Sequence, residues 1–377
     1  MRTFALLLGM AGAALAQENA PHPGVDQKKV DAAIERGVKW LLGPDNKPFA
    51  IKLNENVFGL DELQLYTLIH AGADREGERF KGFLRTAVEG RPEKTYSAAL
   101  AAMSLQALDP VKYQQRLAQL CQFLVDNQCE SGQWSYGEPT VLPAEFENED
   151  PVKALAAIVV RGTNKRAMMK RAEGQTGRAL LVRRQRKGPA KGDHSNSQYA
   201  ALGLRACMEA KVYPPRETLE LAKKGWELFQ RQDGSWVYDD IGKDSPGSMT
   251  AGAAGSLAIY THWLGGNWEA EPSVLRGFKW LNLNFSVKEA PRDTRGGEYF
   301  YYYLYAVERV AMLTGLAKYG GHDWYREGAN HLLDLQKADG TWTDKAIGGT
   351  VHGTCFAILF LRRATIALPK VATIDVK

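Results

Sequence analysis

Apolar positions along the chain follow the 3.6-residue period of α-helices, and the strict alternation typical of strands is absent. Stretches such as "LELAKKGWELFQ" have one apolar face, which is typical of a helix that packs on a core from one side. Other stretches, such as "SMTAGAAGSLAIYTHWL", are apolar around most of their circumference and rich in Ala, Gly and Ser. The pattern therefore predicts amphipathic outer helices and fully buried inner helices.

These two kinds of helix alternate along the sequence, six of each. Residues 28–43 form the first outer helix, and its inner partner comes last, at residues 352–366. A ring closes when its first and last elements pair. We therefore predict an all-α fold, an α/α toroid of six parallel inner helices surrounded by six antiparallel outer ones. An open superhelical array of helix pairs is the alternative.

Three outer segments end in a Gln followed by Gly-X-Trp, at Trp134, Trp236 and Trp342. Glycine suits the left-handed conformation at a helix end, so the Trp can fold back over the turn. The Gln side chain can then bond exposed backbone groups. We predict that each segment is a structural strut between repeats; in the second copy it runs from Gln232 to Trp236.

The first residues are not predicted to belong to the fold. Arg2 precedes an apolar run that ends in Ala14-Leu15-Ala16, the pattern of a cleaved secretory signal. We expect residues 1–16 to be a signal peptide, residues 17–377 to form a single toroid domain, and the protein to be exported to the periplasm or outside the cell. No other segment is long and apolar enough to span a bilayer.

The net charge of +5 is unevenly distributed. Between Arg161 and Lys191 there are eleven Lys or Arg against one acid, within an insertion at about 137–194. A basic face of this kind can meet an anionic surface such as glycan or lipid headgroups, although a solvated insertion is the preferred explanation. Export argues against a nucleic-acid partner. The four cysteines are interpreted as small buried thiols.

The three Gln…Gly-X-Trp segments resemble the QW repeats of the squalene cyclase and protein prenyltransferase superfamily. The resemblance runs from about residue 28 to 366, with the basic segment as an insertion, and it is more specific for the fold than for an activity. Stretches such as "GDHSNSQYAALGL" and "GTCFAILFLRRAT" are also similar to secreted bacterial members of the superfamily.

The catalytic motifs that the resemblance implies are incomplete. Squalene-type cyclases use an Asp-X-Asp-Asp motif, and here Val237 stands where its first Asp would be, before Asp239 and Asp240. Prenyltransferases hold zinc through Asp, Cys and His; aligning on "HGTCF" displaces His352 by one residue and puts Gly296 and Glu298 at the other two positions. We therefore expect no metal and no cofactor.

A ligand site is expected at the end of the ring where the inner helices begin, because helix N-termini carry unsatisfied N–H groups and positive dipole there. The segments that lead into this end supply the candidate ligand-binding residues. They are Asp193, His194, Asn196, Asp239, Asp240, Glu298, Tyr302, Tyr305 and His352.

Two classes of function remain open. The first is a non-catalytic toroid that binds a lipid, a glycan or a protein partner through its mouth or its basic insertion. The second is an enzyme that acts on isoprenoid substrates, or on polysaccharides with two carboxylates placed across a cleft. The acids near the predicted mouth do not by their spacing select a catalytic pair. The absence of both family motifs favours the first class.

Overall fold

A computed structural model describes residues 21–47, 50–53, 56–141, 178–239, 246–294, 297–345 and 349–369. The predicted signal peptide and residues 142–177 of the predicted insertion lie outside these described residues, so both assignments stay predictions. In chain order the elements are α1 (Gln27–Leu42), β1 (Ala50–Leu53), β2 (Asn56–Gly59), α2 (Asp61–His70), α3 (Glu78–Glu89), α4 (Thr95–Leu108), α5 (Gln114–Asp126), β3 (Leu180–Leu181), α6 (His194–Glu209), β4 (Val212–Tyr213), α7 (Arg216–Leu228), α8 (Gly247–Trp263), α9 (Pro272–Asn284), α10 (Phe300–Thr314), α11 (Trp324–Leu335) and α12 (Gly349–Arg362).

The odd-numbered helices are the outer ones and the even-numbered helices are the inner ones. Each inner helix packs against the next, and α12 packs against α2, so the inner helices form a closed ring. The first outer helix, α1, packs on the last inner helix, α12. The predicted α/α toroid is therefore confirmed, and the open array is excluded. Small residues allow the close approach: a Cβ at Gly203 of α6 would lie 2.8 Å from the Cα of Ala99 in α4.

Three struts with one geometry join the repeats, and we define them as residues 128–134, 230–236 and 336–342. In each strut the Trp ring is fully buried. Its indole N–H donates to the carbonyl ten residues earlier, at 2.7 Å for Trp134 and 2.8 Å for Trp236 and Trp342. The Trp backbone N–H donates to a hydroxyl in the first two turns of the next inner helix. Each strut thus ties the end of an outer helix to the following inner helix.

The glutamine of each strut reaches the next outer helix along the chain, or α1 from the last strut. Gln230 donates to the carbonyl of Ser273 in α9 at 2.9 Å, and Gln336 donates to that of Ala33 in α1 at 2.8 Å. The last strut therefore closes the outer layer. The predicted start of the second strut was wrong: its bonding glutamine is Gln230, six residues before the Trp, whereas Gln232 is exposed.

The outer helices α1 and α3 are not followed by a strut. An arginine from the next outer helix bonds a carbonyl near the end of each. Arg79 of α3 donates to the carbonyl of Gly43 at 2.7 Å, just after α1 ends. Arg116 of α5 donates to the carbonyl of Ala87 near the end of α3 at 3.1 Å. Both arginines satisfy C-terminal carbonyls that have no partner within their own helix.

Short strands were missed because they are too short to produce a visible alternation. Strands β1 and β2 form an antiparallel hairpin in which Ala50 pairs with Gly59. Strands β3 and β4 form a two-residue parallel pair that attaches the described end of the basic insertion to the ring.

Three basic side chains in the described part of the insertion bond other residues of the chain. Arg186 pairs with Glu138 at 3.1 Å, and Lys187 pairs with Glu130 at 3.1 Å. Arg184 donates to the carbonyl of Gln128. These contacts do not test the anionic-surface hypothesis, which stays a prediction.

The end of the ring opposite the helix N-termini is covered by the segment after α12. Thr365 donates its backbone N–H (2.9 Å) and its hydroxyl (2.8 Å) to the buried carboxylate of Glu308. Arg205 donates to the carbonyl of Ile366 at 2.8 Å.

None of the described helices is both long and apolar enough to cross a bilayer. All four cysteines are buried free thiols, as predicted.

Candidate functional site

A cavity of about 190 Å³ opens at the end of the ring where the inner helices begin. Its walls come from the first two turns of all six inner helices and from the loops that precede them. All six inner helices therefore point the same way, and their N-termini surround one space.

Aromatic side chains form most of the wall, and we call this space the tyrosine cavity. The ring of Tyr199 lies between those of Tyr96 and Tyr302, with centroid distances of 4.3 Å and 6.2 Å. Tyr302 in turn packs edge-on against Phe356 at 5.7 Å. The aromatic lining residues are Tyr96, Tyr136, Tyr199, Tyr238, Tyr299, Tyr302 and Phe356.

The tyrosine hydroxyls supply polar groups on the wall. The hydroxyl of Tyr302 accepts a hydrogen bond from the amide of Gln198 at 2.7 Å and lies 3.1 Å from the hydroxyl of Tyr96. The hydroxyls of Tyr136 and Tyr238 lie 3.3 Å apart. Burial raises the pKa of Tyr199 to about 12, so this side chain is neutral at physiological pH.

A buried arginine supports the wall from behind. The guanidinium of Arg309 lies 5.0 Å from the ring centroid of Tyr199 and 4.7 Å from that of Tyr305. It also donates to the side-chain oxygen of Gln198, which holds Tyr302. Cation–π contacts of this kind stabilise a desolvated arginine.

Carboxylates lie at the mouth, on the side formed by α10 and α12. Asp293, Glu298 and Asp344 line the cavity together with His352. The Asp344 carboxylate accepts the backbone N–H of Tyr299 at 3.1 Å. Tyr299 has φ of 63°, a left-handed conformation that costs free energy for a residue with a side chain, and this bond helps to hold it. No Lys or Arg is present among the described lining residues.

Of the residues predicted from the sequence, the structure brings Glu298, Tyr302 and His352 together in the cavity wall. Tyr305 lies one helical turn deeper, where it stacks on Phe356 at 5.5 Å. Asp239 is half-buried and does not line the cavity, and Asp240 lies outside the described residues.

The predicted residues at the start of α6 are structural. Asp193 caps the helix by accepting the backbone N–H of Asn196 at 2.8 Å. The Asn196 side chain donates to the same carboxylate at 2.8 Å. His194 is fully buried, stacks on Trp226 at 4.7 Å and bonds the carbonyl of Val237 at 2.6 Å.

Sequence reasoning missed several wall residues, although a signal for three of them was present. Tyr136, Tyr238 and Asp344 each come two residues after the Trp of a strut. Each strut is anchored to the beginning of an inner helix. The residue two positions after its Trp therefore lies at the mouth of the cavity. The strut position therefore predicts cavity residues as well as helix ends.

No group of three His, Cys, Asp or Glu side chains is arranged to hold a metal ion within the described residues. The expectation of no metal and no cofactor stays a prediction.

No model of a protein family matches this sequence, and no curated protein sequence matches it either. Solved structures are similar in fold. A type II terpene cyclase, MstE from Scytonema, in complex with geranylgeranyl dihydroxybenzoate is 12% identical, with a TM-score of 0.53 over 89% of this chain and 97% of that one. A possible member of the GH105 family from Salmonella enterica is 10% identical, with a TM-score of 0.54 over 91% and 95%.

A protein from Actinoplanes is similar at 17% identity, with a TM-score of 0.50 over 89% of this chain and 99% of that one. At such identities these similarities establish the shared α/α toroid and nothing finer. Function on this fold must be argued from the site.

Proposed function

We propose that this chain is a binding protein that holds one small organic molecule in the tyrosine cavity. The observation that carries the proposal is the cavity itself, a tyrosine-walled space where the six inner helices begin. A concave, mostly apolar site with a few polar groups is the usual form of a small-molecule site. The apolar body of a ligand would lie against Leu100, Met249 and Phe356, with the tyrosine hydroxyls available for its polar groups.

The charge of the lining restricts the ligand. A diphosphate or sulfate group would meet the carboxylates of Asp293, Glu298 and Asp344 without a Lys or Arg among the described lining residues to pair with. Phosphate-binding sites rely on such cations. We therefore propose a neutral or cationic ligand, and we disfavour prenyl diphosphates.

Binding without catalysis is the favoured form of this function. The acid motif of squalene-type cyclases is interrupted at Val237, whose side chain is buried. The mouth carboxylates lie on one side of the opening, on the segments that lead into α10 and α12, whereas two carboxylates of a glycan-cleaving enzyme must flank the scissile bond.

Export remains part of the proposal and depends on residues 2–16. Cleavage would leave a mature chain that begins near Gln17. The intact mass of the protein purified from the cells that make it tests this point. Loss of the first 16 residues is expected, and a full-length mass contradicts signal cleavage.

Filling the cavity should abolish binding without unfolding the protein. Met249, at the start of α8, lines the cavity and is buried, so Met249→Trp places a large ring in the space that a ligand would occupy. We expect octyl β-glucoside to bind the wild-type chain at a ratio of one to one and the variant at least about tenfold more weakly. Isothermal titration calorimetry below the micellar concentration measures both.

Leu228→Trp is the matched control, because it adds the same side chain at a position that is 73% exposed and does not line the cavity. Leu100→Phe is a second filling variant in case Met249→Trp disturbs packing. Equal binding by the wild type and both filling variants would contradict the proposal. Release of glucose during the titration would instead support the enzymatic alternative.

A further inference from the structure

The cavity mouth carries three carboxylates, and no Lys or Arg is among the described residues that line it. Glu298 has neither a hydrogen bond nor an ion pair among the described residues, and it stands beside Asp293 and Asp344 in the lining. Arg292 is the arginine nearest to Glu298 in sequence among the described residues, since Arg295 lies outside them. Arg292 pairs with Asp233 at 2.9 Å and lies 5.2 Å over the ring of Trp280. Arg309 is separated from the cavity by the tyrosine wall.

Aromatic faces adjoin these carboxylates. Tyr299 follows Glu298 directly and packs edge-on against Tyr302, with ring centroids 6.5 Å apart. On the neighbouring helix α12, the ring of His352 lies 5.5 Å from that of Phe356. The negative face of a tyrosine ring attracts a cation within about 6 Å, most strongly where water is excluded. Tyrosine rings and carboxylates therefore lie at the same mouth, and both attract a positively charged group.

The positive ends of the inner helices oppose this charge, but part of their N–H groups is already bonded to carboxylates of the chain. Each helix end is equivalent to about half a positive charge, spread over several N–H groups. Some of these groups are already bonded to carboxylates: Asp193 accepts the N–H of Asn196 in α6, and Asp344 accepts that of Tyr299 before α10. The carboxylate of Glu298 carries a full charge and lies at the mouth itself.

We infer that the ligand of the tyrosine cavity carries a positively charged amine or quaternary ammonium group, held at the mouth between Glu298 and the rings of Tyr299 and Tyr302. Its apolar body lies deeper, against Met249 and Phe356. This inference rests on the proposed binding function and adds the chemical class of the ligand. Organic amines, rather than glycans or anionic lipids, are the class that this lining fits.

A series of probes that share one chain tests the inference. Octyltrimethylammonium, octyl β-glucoside and octyl sulfate differ only in their head groups, and each is titrated into the full chain below its micellar concentration. We expect the ammonium compound to bind about tenfold more tightly than the glucoside, and the sulfate to bind most weakly. Glu298→Gln should weaken ammonium binding about fivefold and glucoside binding by less.

Glu289→Gln is the matched control. Glu289 is exposed and does not line the cavity, and its substitution changes the net charge by the same amount as Glu298→Gln. Glucoside binding as tight as ammonium binding, or tightest binding of the sulfate, overturns the inference and leaves the binding function standing. An equal loss in the two glutamine variants also overturns it, since the effect would then come from net charge. If no probe distinguishes the wild type from Met249→Trp, the proposed function itself fails.

Discussion

Trp342→Ala should lower the free energy of unfolding by about 3–5 kcal/mol, the usual cost of truncating a large buried aromatic side chain. The Trp342 ring is fully buried, and its indole N–H donates to the carbonyl of Leu332 at 2.8 Å. A Cβ at Gly37 of α1 would lie 3.2 Å from this ring. The truncation therefore opens a cavity where the last strut meets the first outer helix. Denaturation followed by circular dichroism measures the change.

Two variants separate the causes of that loss. Trp342→Phe keeps a buried ring but leaves the Leu332 carbonyl without its donor, so it should cost about 1–3 kcal/mol. Leu283→Ala removes an apolar side chain that is 77% exposed and should stay within about 0.5 kcal/mol of the wild type. A Trp342→Ala variant as stable as Leu283→Ala would show that the last strut does not hold the ring together.

Gly234→Ala should cost about 2–5 kcal/mol, because a conformational penalty and a steric one add at this position. Gly234 has φ of 91°, in the left-handed half of the map that disfavours a side chain. Its new Cβ would also lie 2.5 Å from the carbonyl oxygen of Arg276, a backbone atom of α9 that cannot move aside alone. Thermal and chemical denaturation give the difference in stability.

Gly315→Ala isolates the conformational penalty. Gly315 also has positive φ, at 69°, but a Cβ there would meet nothing within 4 Å. We expect this variant to cost about 1–2 kcal/mol. If both alanine variants lose the same amount, then the contact between the second strut and α9 contributes nothing, and the glycine is needed for the turn alone.

The sequence determines the helices and their two layers because both depend on local periodicity. An amphipathic segment such as 219–230 needs a core on one side, and an all-apolar segment such as 248–264 needs one all around. The closure of the ring followed from the unpaired helices at the two ends of the chain. The exact glutamine of a strut did not follow, because Gln230 and Gln232 both precede Trp236 closely and the sequence does not show which of them bonds the neighbouring helix.

The cavity was only partly predictable because its wall combines residues from six helices and their loops. Tyr302 and Tyr305 are three residues apart on one helix, yet about 4.5 Å of helix rise separates them. Tyr302 reaches the cavity, whereas Tyr305 lies beneath Phe356 and Arg309. Asp193 is a cap because it adopts the extended backbone that a cap requires, which residue type alone does not reveal.

Native mass spectrometry of the protein purified from the cells that make it tests the central claim most directly, with Met249→Trp prepared in the same way. We predict that the wild-type chain carries one additional organic molecule, released on collisional activation and absent from the variant. Identical masses for the two proteins, after allowing for the substitution, would contradict a ligand in the tyrosine cavity.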